Sequence, residues 1–180
     1  MSNLPLLDPD TAEGPLAELF SDVKAKLGAV PNMTRAMANS PAMLRSYLAL
    51  SDQLARGRLR PAVREQISLA IARRNRCDYC MSAHSFAAEH IAHLQPDAII
   101  AAREATSTDP RTEAVLRLAV AINDQRGSIS TTQLADARRA GLDDTEISEI
   151  IANVALNVLT NYFNKVADTD IDFPYVASSR

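Results

Sequence analysis

The chain has 180 residues and a mass of 19.5 kDa, with 47% hydrophobic and 23% charged residues. That is enough chain to bury about 70% of its unfolded surface in one core without disulfide staples, and it excludes intrinsic disorder. A net charge of −3, a pI of about 5.6 and no basic run exclude the electrostatic footprint of a nucleic-acid or anionic-membrane binder.

No apolar stretch approaches the roughly 20 residues of a membrane span. The start, Met1-Ser2-Asn3-Leu4-Pro5, has neither the basic residues nor the apolar core of a secretory signal. The expected compartment is the reducing cytoplasm. Aromatic residues are only 4%, Trp is absent, and there are 5 Gly and 9 Pro, which points to helical packing rather than a sheet.

In chain order, a first helix is expected after Asp10-Thr11, with Leu16, Leu19, Phe20, Val23 and Leu27 at helical spacing and Gly28 as its stop. Pro31-Asn32 opens a short helix. Ser40-Pro41 opens a longer one, since Ser can cap and Pro loses nothing at the first helical position; it runs to Gly57. The next helix runs from Pro61 into a cysteine pair, and another from that pair to about Leu94, before Pro96. A helix from Pro96 to Ala105 follows, then one opened by Asp109-Pro110 and ended near Gly127, and one from Thr131 to Ala140. Asp143 and Glu146 have capping-box spacing, and Ile147, Ile150, Ile151, Val154, Ala155, Val158 and Leu159 keep the helical period after them. No stretch alternates apolar and polar residues as a strand would. The expectation is one all-α domain over residues 1–180, with about eight helices.

The two cysteines stand as Cys77-Asp78-Tyr79-Cys80, followed by His84. In a reducing compartment such a pair is catalytic or metal-binding before it is a structural bridge. Helical geometry puts Cys80, His84 and Cys77 within about 60° of one another, with His84 one turn from Cys80. A neighbouring base and a helix N-terminus both raise the thiolate fraction of a cysteine. A disulfide needs its Cβ atoms about 3.5–4.5 Å apart, closer than a regular i,i+3 pair, so the two cysteines belong in the first turn of a helix, where the dihedrals can adjust. Such a bond should be readily reduced. Haem attachment would need His immediately after the second cysteine, where Met81 stands. Zinc would need further ligands, and His90 and His93 lie off the shared face. Two inert buried thiols, a dithiol–disulfide exchanger and a non-peroxidatic redox-sensing or assembly protein stay open from the residues alone.

Read with Arg64-Glu65 upstream, the run Cys77-Asp78-Tyr79-Cys80-Met81-Ser82-Ala83-His84 resembles the AhpD-like alkylhydroperoxidases of the carboxymuconolactone decarboxylase superfamily. Val30-Pro31-Asn32 and Ser40-Pro41 are similar to the family's opening helices. Asn161-Tyr162-Phe163-Asn164 with Thr169-Asp170-Ile171-Asp172-Phe173-Pro174 looks like its peroxidase-related branch. The resemblance is most secure over a catalytic core of about residues 59–94. It implies an all-helical fold, a homo-oligomer of trimer or hexamer type, and thiol-dependent reduction of a hydroperoxide. By the family's pattern Cys80 attacks, Cys77 resolves, and Glu65 and His84 relay protons. The resemblance implies no intrinsic cofactor or metal; the reductant is external, a small thiol or a lipoyl-bearing or thioredoxin-like protein. Decarboxylases of the superfamily typically lack the cysteine pair, which argues against that reaction.

Three readings of the residues accompany the resemblance. Ala62, Leu69 and Ala72 around Glu65 suggest a partly buried carboxylate, against a solvated one paired with an arginine. Tyr79 stands where some members have His, and with a pKa near 10 it is a poor auxiliary base. Asn153, Asn157, Asn161 and Asn164 form a stripe on the last helix, either a solvated edge or a set of hydrogen bonds to buried backbone or a second subunit. Apolar residues on several faces of the helix from Pro61 to Asn75 suggest surface left for self-assembly.

Overall fold

The computed structural model describes residues 2–179; Met1 and Arg180, the ends of the expected domain span, lie outside the described residues. Among these residues the regular structure is helical: α1 (Gly14–Leu27), α2 (Asn32–Met37), α3 (Pro41–Ala55), α4 (Pro61–Arg74), α5 (Asp78–His90), α6 (Pro96–Arg103), α7 (Pro110–Asp124), α8 (Thr131–Arg139) and α9 (Asp144–Ala167). These nine include the short helix expected after Pro31, and each helix expected in chain order has its counterpart, one more than the expected total of about eight.

Helix starts follow the capping residues. Ser40, Asp109 and Asp143 accept the backbone N–H of Met43, Thr112 and Glu146, at 3.3, 3.0 and 2.9 Å. Asp143 and Glu146 form the reciprocal capping box. A second box, Ser130 with Gln133, opens α8. Two boundaries differ from the expected ones. Helix α1 starts at Gly14, because Pro15 takes the first turn and the Asp8–Thr11 segment folds on itself through the Asp8 carboxylate and carbonyl. Helix α5 ends at His90, where the chain turns and the Leu94 N–H reaches back to the Ala88 carbonyl at 2.8 Å. Ile91 therefore leaves the helix face and is exposed.

Helix α4 is the centre of the packing. Val63, Ile67, Leu69, Ala70, Ile71 and Ala72 are buried, and α5, α6, α7 and α9 pack around the helix. Burying each Ile or Leu side chain is worth about 1.5–3 kcal/mol. The several apolar faces of α4 are thus covered within the chain and leave no surface for assembly, contrary to the sequence expectation. The large apolar side chains exposed on helix α9 are Ile151, Leu159, Tyr162 and Val166, at helical spacing on the side away from the core.

One carboxylate fixes where α4 begins relative to α9. Both oxygens of Glu149 accept the Arg58 N–H, at 2.9 and 2.8 Å, and one also accepts the Leu59 N–H at 3.0 Å. Gly57 lies beneath that carboxylate: a Cβ there would stand 2.6 Å from Glu149 Oε2. The carboxylate cannot move aside without releasing the loop. Gly57→Ala should destabilise the fold by about 1–3 kcal/mol, within the range of single-site steric changes. Thermal unfolding measures this as a Tm lowered by roughly 2–4 °C per kcal/mol, and an unchanged Tm would show that the loop yields freely.

Candidate active site

Helix α4 hands the chain to α5 within three residues. Arg76 adopts a left-handed conformation (φ 52°); its N–H donates to the Arg73 carbonyl at 3.2 Å, and the Cys77 N–H donates to the Ala72 carbonyl at 3.0 Å. This pair of bonds closes a helix in the Schellman manner. Cys77 is at once the third residue past α4 and the N-cap of α5, with an extended backbone (φ −108°, ψ 99°). Cys80 lies in the first turn, and the two cysteines are disulfide-bonded with Cα atoms 5.3 Å apart. The Cys80 N–H points at Cys77 Sγ, 3.3 Å away, as a cap donor would. The pair therefore occupies the helix N-terminus that its spacing required. Both cysteines are buried, 1% and 2% exposed.

The same short turn aligns α4 against α5. Glu65 on α4 and His84 on α5 meet with Oε2 2.8 Å from Nδ1, their side chains 24% and 28% exposed. Glu65 is thus paired with a histidine rather than an arginine, and it is partly buried. An ionised carboxylate only accepts hydrogen bonds, so Nδ1 carries the proton and, in the neutral ring, Nε2 presents the lone pair. Glu65 sets the tautomer of His84. Close by, Tyr47 on α3 has its phenol pushed up to about 12, by burial first and by the Glu65 charge second. It stays protonated at any physiological pH.

The Asn stripe of α9 faces inward, and all four side chains are buried. Asn153 and Asn157 donate to the carbonyls of Glu149 and Asn153 in their own helix, at 2.8 and 2.9 Å. Asn161 accepts from Asn75 Nδ2 at 3.0 Å, tying α9 to the end of α4. Asn164 Nδ2 lies 3.3 Å from Cys80 Sγ and 3.2 Å from Met33 Sδ. The stripe is no solvated edge, and one member reaches the cysteine sulfur.

Tyr79 is 5% exposed, and its hydroxyl is used in both directions: it accepts from the Met33 N–H at 3.1 Å and donates to Asp172 Oδ1 at 2.9 Å. Burial first, then the Asp172 charge, raises its pKa above the ordinary tyrosine range. Asp172 also accepts the Asn32 N–H at 2.8 Å, so Tyr79 clamps α5, α2 and the C-terminal tail together. The tail crosses α5 further along. Asp78 accepts from Ser178 N–H at 2.8 Å, Ser178 Oγ at 2.5 Å and Tyr175 hydroxyl at 3.0 Å, and Ser82 Oγ accepts the Val176 N–H at 3.0 Å. Phe173 packs edge-on against Tyr79. Helical periodicity reveals none of these tail contacts, which join residues about a hundred positions apart. Among the described residues no group of three or more His, Cys, Asp or Glu could hold a metal ion. A groove of about 550 Å³ between α7 and α8 contains none of the candidate residues.

Residues 41–121 match the carboxymuconolactone decarboxylase family, a segment that carries Glu65, both cysteines and His84. No sequence among curated proteins is significantly similar to the chain. Among solved structures, an AhpD-core peroxidase-related protein from Ralstonia eutropha JMP134 superposes with a TM-score of 0.82 at 23% identity, over 95% of this chain and 92% of that one. A peroxidase-related protein from Silicibacter sp. TM1040 gives 0.79 at 22%, over 94% and 91%. The debrominase Bmp8, as a cysteine-to-alanine variant with 2,3,4-tribromopyrrole, gives 0.77 at 22%, over 94% and 91%. The fold is AhpD-like, and its central part, from α3 into α7, carries the match to the carboxymuconolactone decarboxylase family.

The Asp78 anchor has a pH signature. The Ser178 hydroxyl is the main cause holding the Asp78 carboxyl below the usual aspartate value of about 3.9. A depressed folded-state pKa stabilises the docked tail fully above the unfolded value, and that contribution is lost as pH falls through the folded one. Amide hydrogen exchange at Val176 and Ser178 should therefore be insensitive to pH, after correction for intrinsic rates, down to about 4 and rise below it. Asp78→Asn should abolish that acid step; an unaltered step would place the sensor elsewhere.

Proposed function

We propose that the protein is a thiol-dependent peroxidase that reduces hydroperoxides through the Cys77–Cys80 dithiol. The reading rests above all on one juxtaposition: a bonded cysteine pair in the first turn of α5, with His84 one turn further along the same helix and held there by Glu65 of α4. The family match and the peroxidase-related neighbours support it.

In this reading the Cys80 thiolate attacks a peroxide oxygen, the O–O bond breaks, and the alkoxide leaves and takes a proton from the site to become the alcohol. Cys80 is then a sulfenic acid. The Cys77 thiolate attacks that sulfur, the S–S bond forms and hydroxide leaves, taking a proton to become water. Two electrons and two protons from an external dithiol restore the enzyme by exchange. His84, with Nδ1 held by Glu65, takes and returns the protons through Nε2. Tyr79 stands outside this relay because its hydroxyl is occupied at both ends. The work is expected in the cytoplasm, without a resident cofactor, and with a small thiol or a lipoyl-bearing or thioredoxin-like protein as reductant. Disulfide exchange without peroxide consumption would instead mark a dithiol–disulfide oxidoreductase. The debrominase neighbour shows that this fold also serves another reaction.

Single-turnover kinetics with mass-spectrometric location of the oxidised sulfur separates the two cysteines. Cys77→Ser should react once and accumulate a trappable sulfenic acid on Cys80; Cys80→Ser should fail at the first step. His84→Ala should slow that step by about 10²-fold or more, the usual worth of general acid–base assistance, and Glu65→Gln by less, since it acts through His84. A fast reaction retained in Cys80→Ser, with sulfenate on Cys77, would reverse the assigned roles.

A homo-oligomer of trimer or hexamer type is part of the same proposal. The stripe on α9, with Tyr162 58% and Val166 75% exposed, is the apolar surface available to it. Light scattering at micromolar concentration should give a multiple of 19.5 kDa, reduced by Val166→Glu. The monomer mass for the unsubstituted protein would contradict assembly.

A further inference from the structure

Asn164 sits where a structural account of its side chain fails. Its Nδ2 faces two sulfurs, Cys80 Sγ at 3.3 Å and Met33 Sδ at 3.2 Å, while its Oδ1 is buried without a hydrogen-bond partner. A thioether and a disulfide sulfur only accept, so the amide must present its NH₂ to them and cannot gain by flipping. Leaving a carbonyl oxygen buried and unpaired is a cost that an apolar residue of similar shape would avoid. Packing and stability therefore do not explain an asparagine here. A hydrogen bond to neutral sulfur is weak. The same N–H donated to a sulfur bearing full negative charge is charge-assisted and much stronger.

We propose that Asn164 is a catalytic residue whose amide N–H stabilises the Cys80 thiolate, both when that sulfur attacks and when it leaves as the disulfide is reduced. The inference rests on the reading of Cys80 as a reacting thiol. No bond beyond the hydrogen bond is made or broken by Asn164, and it holds no proton of the reaction. The titratable and charged groups on the elements packed around Cys80 include Arg64 and Glu65 on α4, Cys77, Asp78, Tyr79 and His84 on α5, Arg35 on α2, Tyr47 on α3, Lys165 on α9, and Asp172 in the tail. Glu65 is bonded to His84, and Asp172 to Tyr79 and Asn32. Asn164 is the side chain hydrogen-bonded to Cys80 Sγ. Asn157, one stripe position away and equally buried, is bonded to its own helix and gives a control for the loss of a buried amide.

The test is the pH dependence of Cys80 alkylation by iodoacetamide in a Cys77→Ser background, which reads the thiolate whether or not the protein consumes peroxide. Asn164→Leu removes the donor at similar volume, and Asn164→Asp replaces it with a like charge. Each should lower the thiolate fraction at pH 7 about tenfold, equivalent to a rise of about one pKa unit, and the carboxylate should do so by more. Asn157→Ala should leave the profile in place. With Asn164 intact, the side-chain NH₂ resonances in ¹H–¹⁵N spectra should shift with the midpoint of Cys80 ionisation, which keeps the test independent of any variant's folding. An unmoved alkylation profile in both Asn164 variants, an equal displacement in Asn157→Ala, or NH₂ resonances blind to the Cys80 titration would each overturn the proposal. Peroxide turnover is scored separately. If it is absent while the alkylation shift holds, the peroxidase reading fails and the Asn164 assignment stands.

Discussion

The turn between α4 and α5 is the constraint on which the rest depends. Arg76 in a left-handed conformation ends one helix, and Cys77 caps the next. With no slack between them, α4 and α5 are held as close neighbours, which brings Glu65 and His84 to 2.8 Å. The same turn leaves Cys77 outside the helical ladder while Cys80 lies inside its first turn, the one place where cysteines three apart can bond. A longer loop would free the cysteines from the helix N-terminus and the carboxylate from the imidazole together.

Helix α9 carries the second half of the arrangement, and its two faces do different work. The inner face spends buried polar positions where apolar ones would pack better: Asn161 ties the end of α4, and Asn164 reaches the cysteine sulfur. The outer face presents large apolar side chains to solvent. Glu149 near the start of α9 holds the loop that begins α4, so the helix carrying Asn164 and the helix carrying Glu65 are set against each other by three backbone hydrogen bonds. The N-terminal segment and the C-terminal tail complete the enclosure through Asn3 on the Ala167 carbonyl and Asp172 on Tyr79.

Much of this was legible in the sequence because it depends on local rules. Ser40, Asp109 and Asp143 mark helix starts, Gly28 marks an end, and the three-residue cysteine spacing demands a first turn. The Glu65–His84 meeting needed the resemblance, since nothing local says that residues nineteen apart will touch. The all-round apolar pattern of α4 was misread as surface for assembly because periodicity gives the number of covered faces but not whether the same chain covers them. The Asn stripe was visible as a regular spacing, and its inward direction was not, because polarity alone suggests a wet face. Asp172 and the tail anchors left no periodic trace; they are single long-range hydrogen bonds whose partners only the folded chain brings together.

The central claim is that the dithiol itself reduces a hydroperoxide. The most direct measurement mixes the reduced, unsubstituted protein with one equivalent of an organic hydroperoxide, follows peroxide loss, and identifies both products. The account predicts one alcohol formed per chain and a loss of two hydrogens from the protein, located as an intramolecular Cys77–Cys80 disulfide. Peroxide consumed no faster than by a variant lacking both cysteines would contradict it.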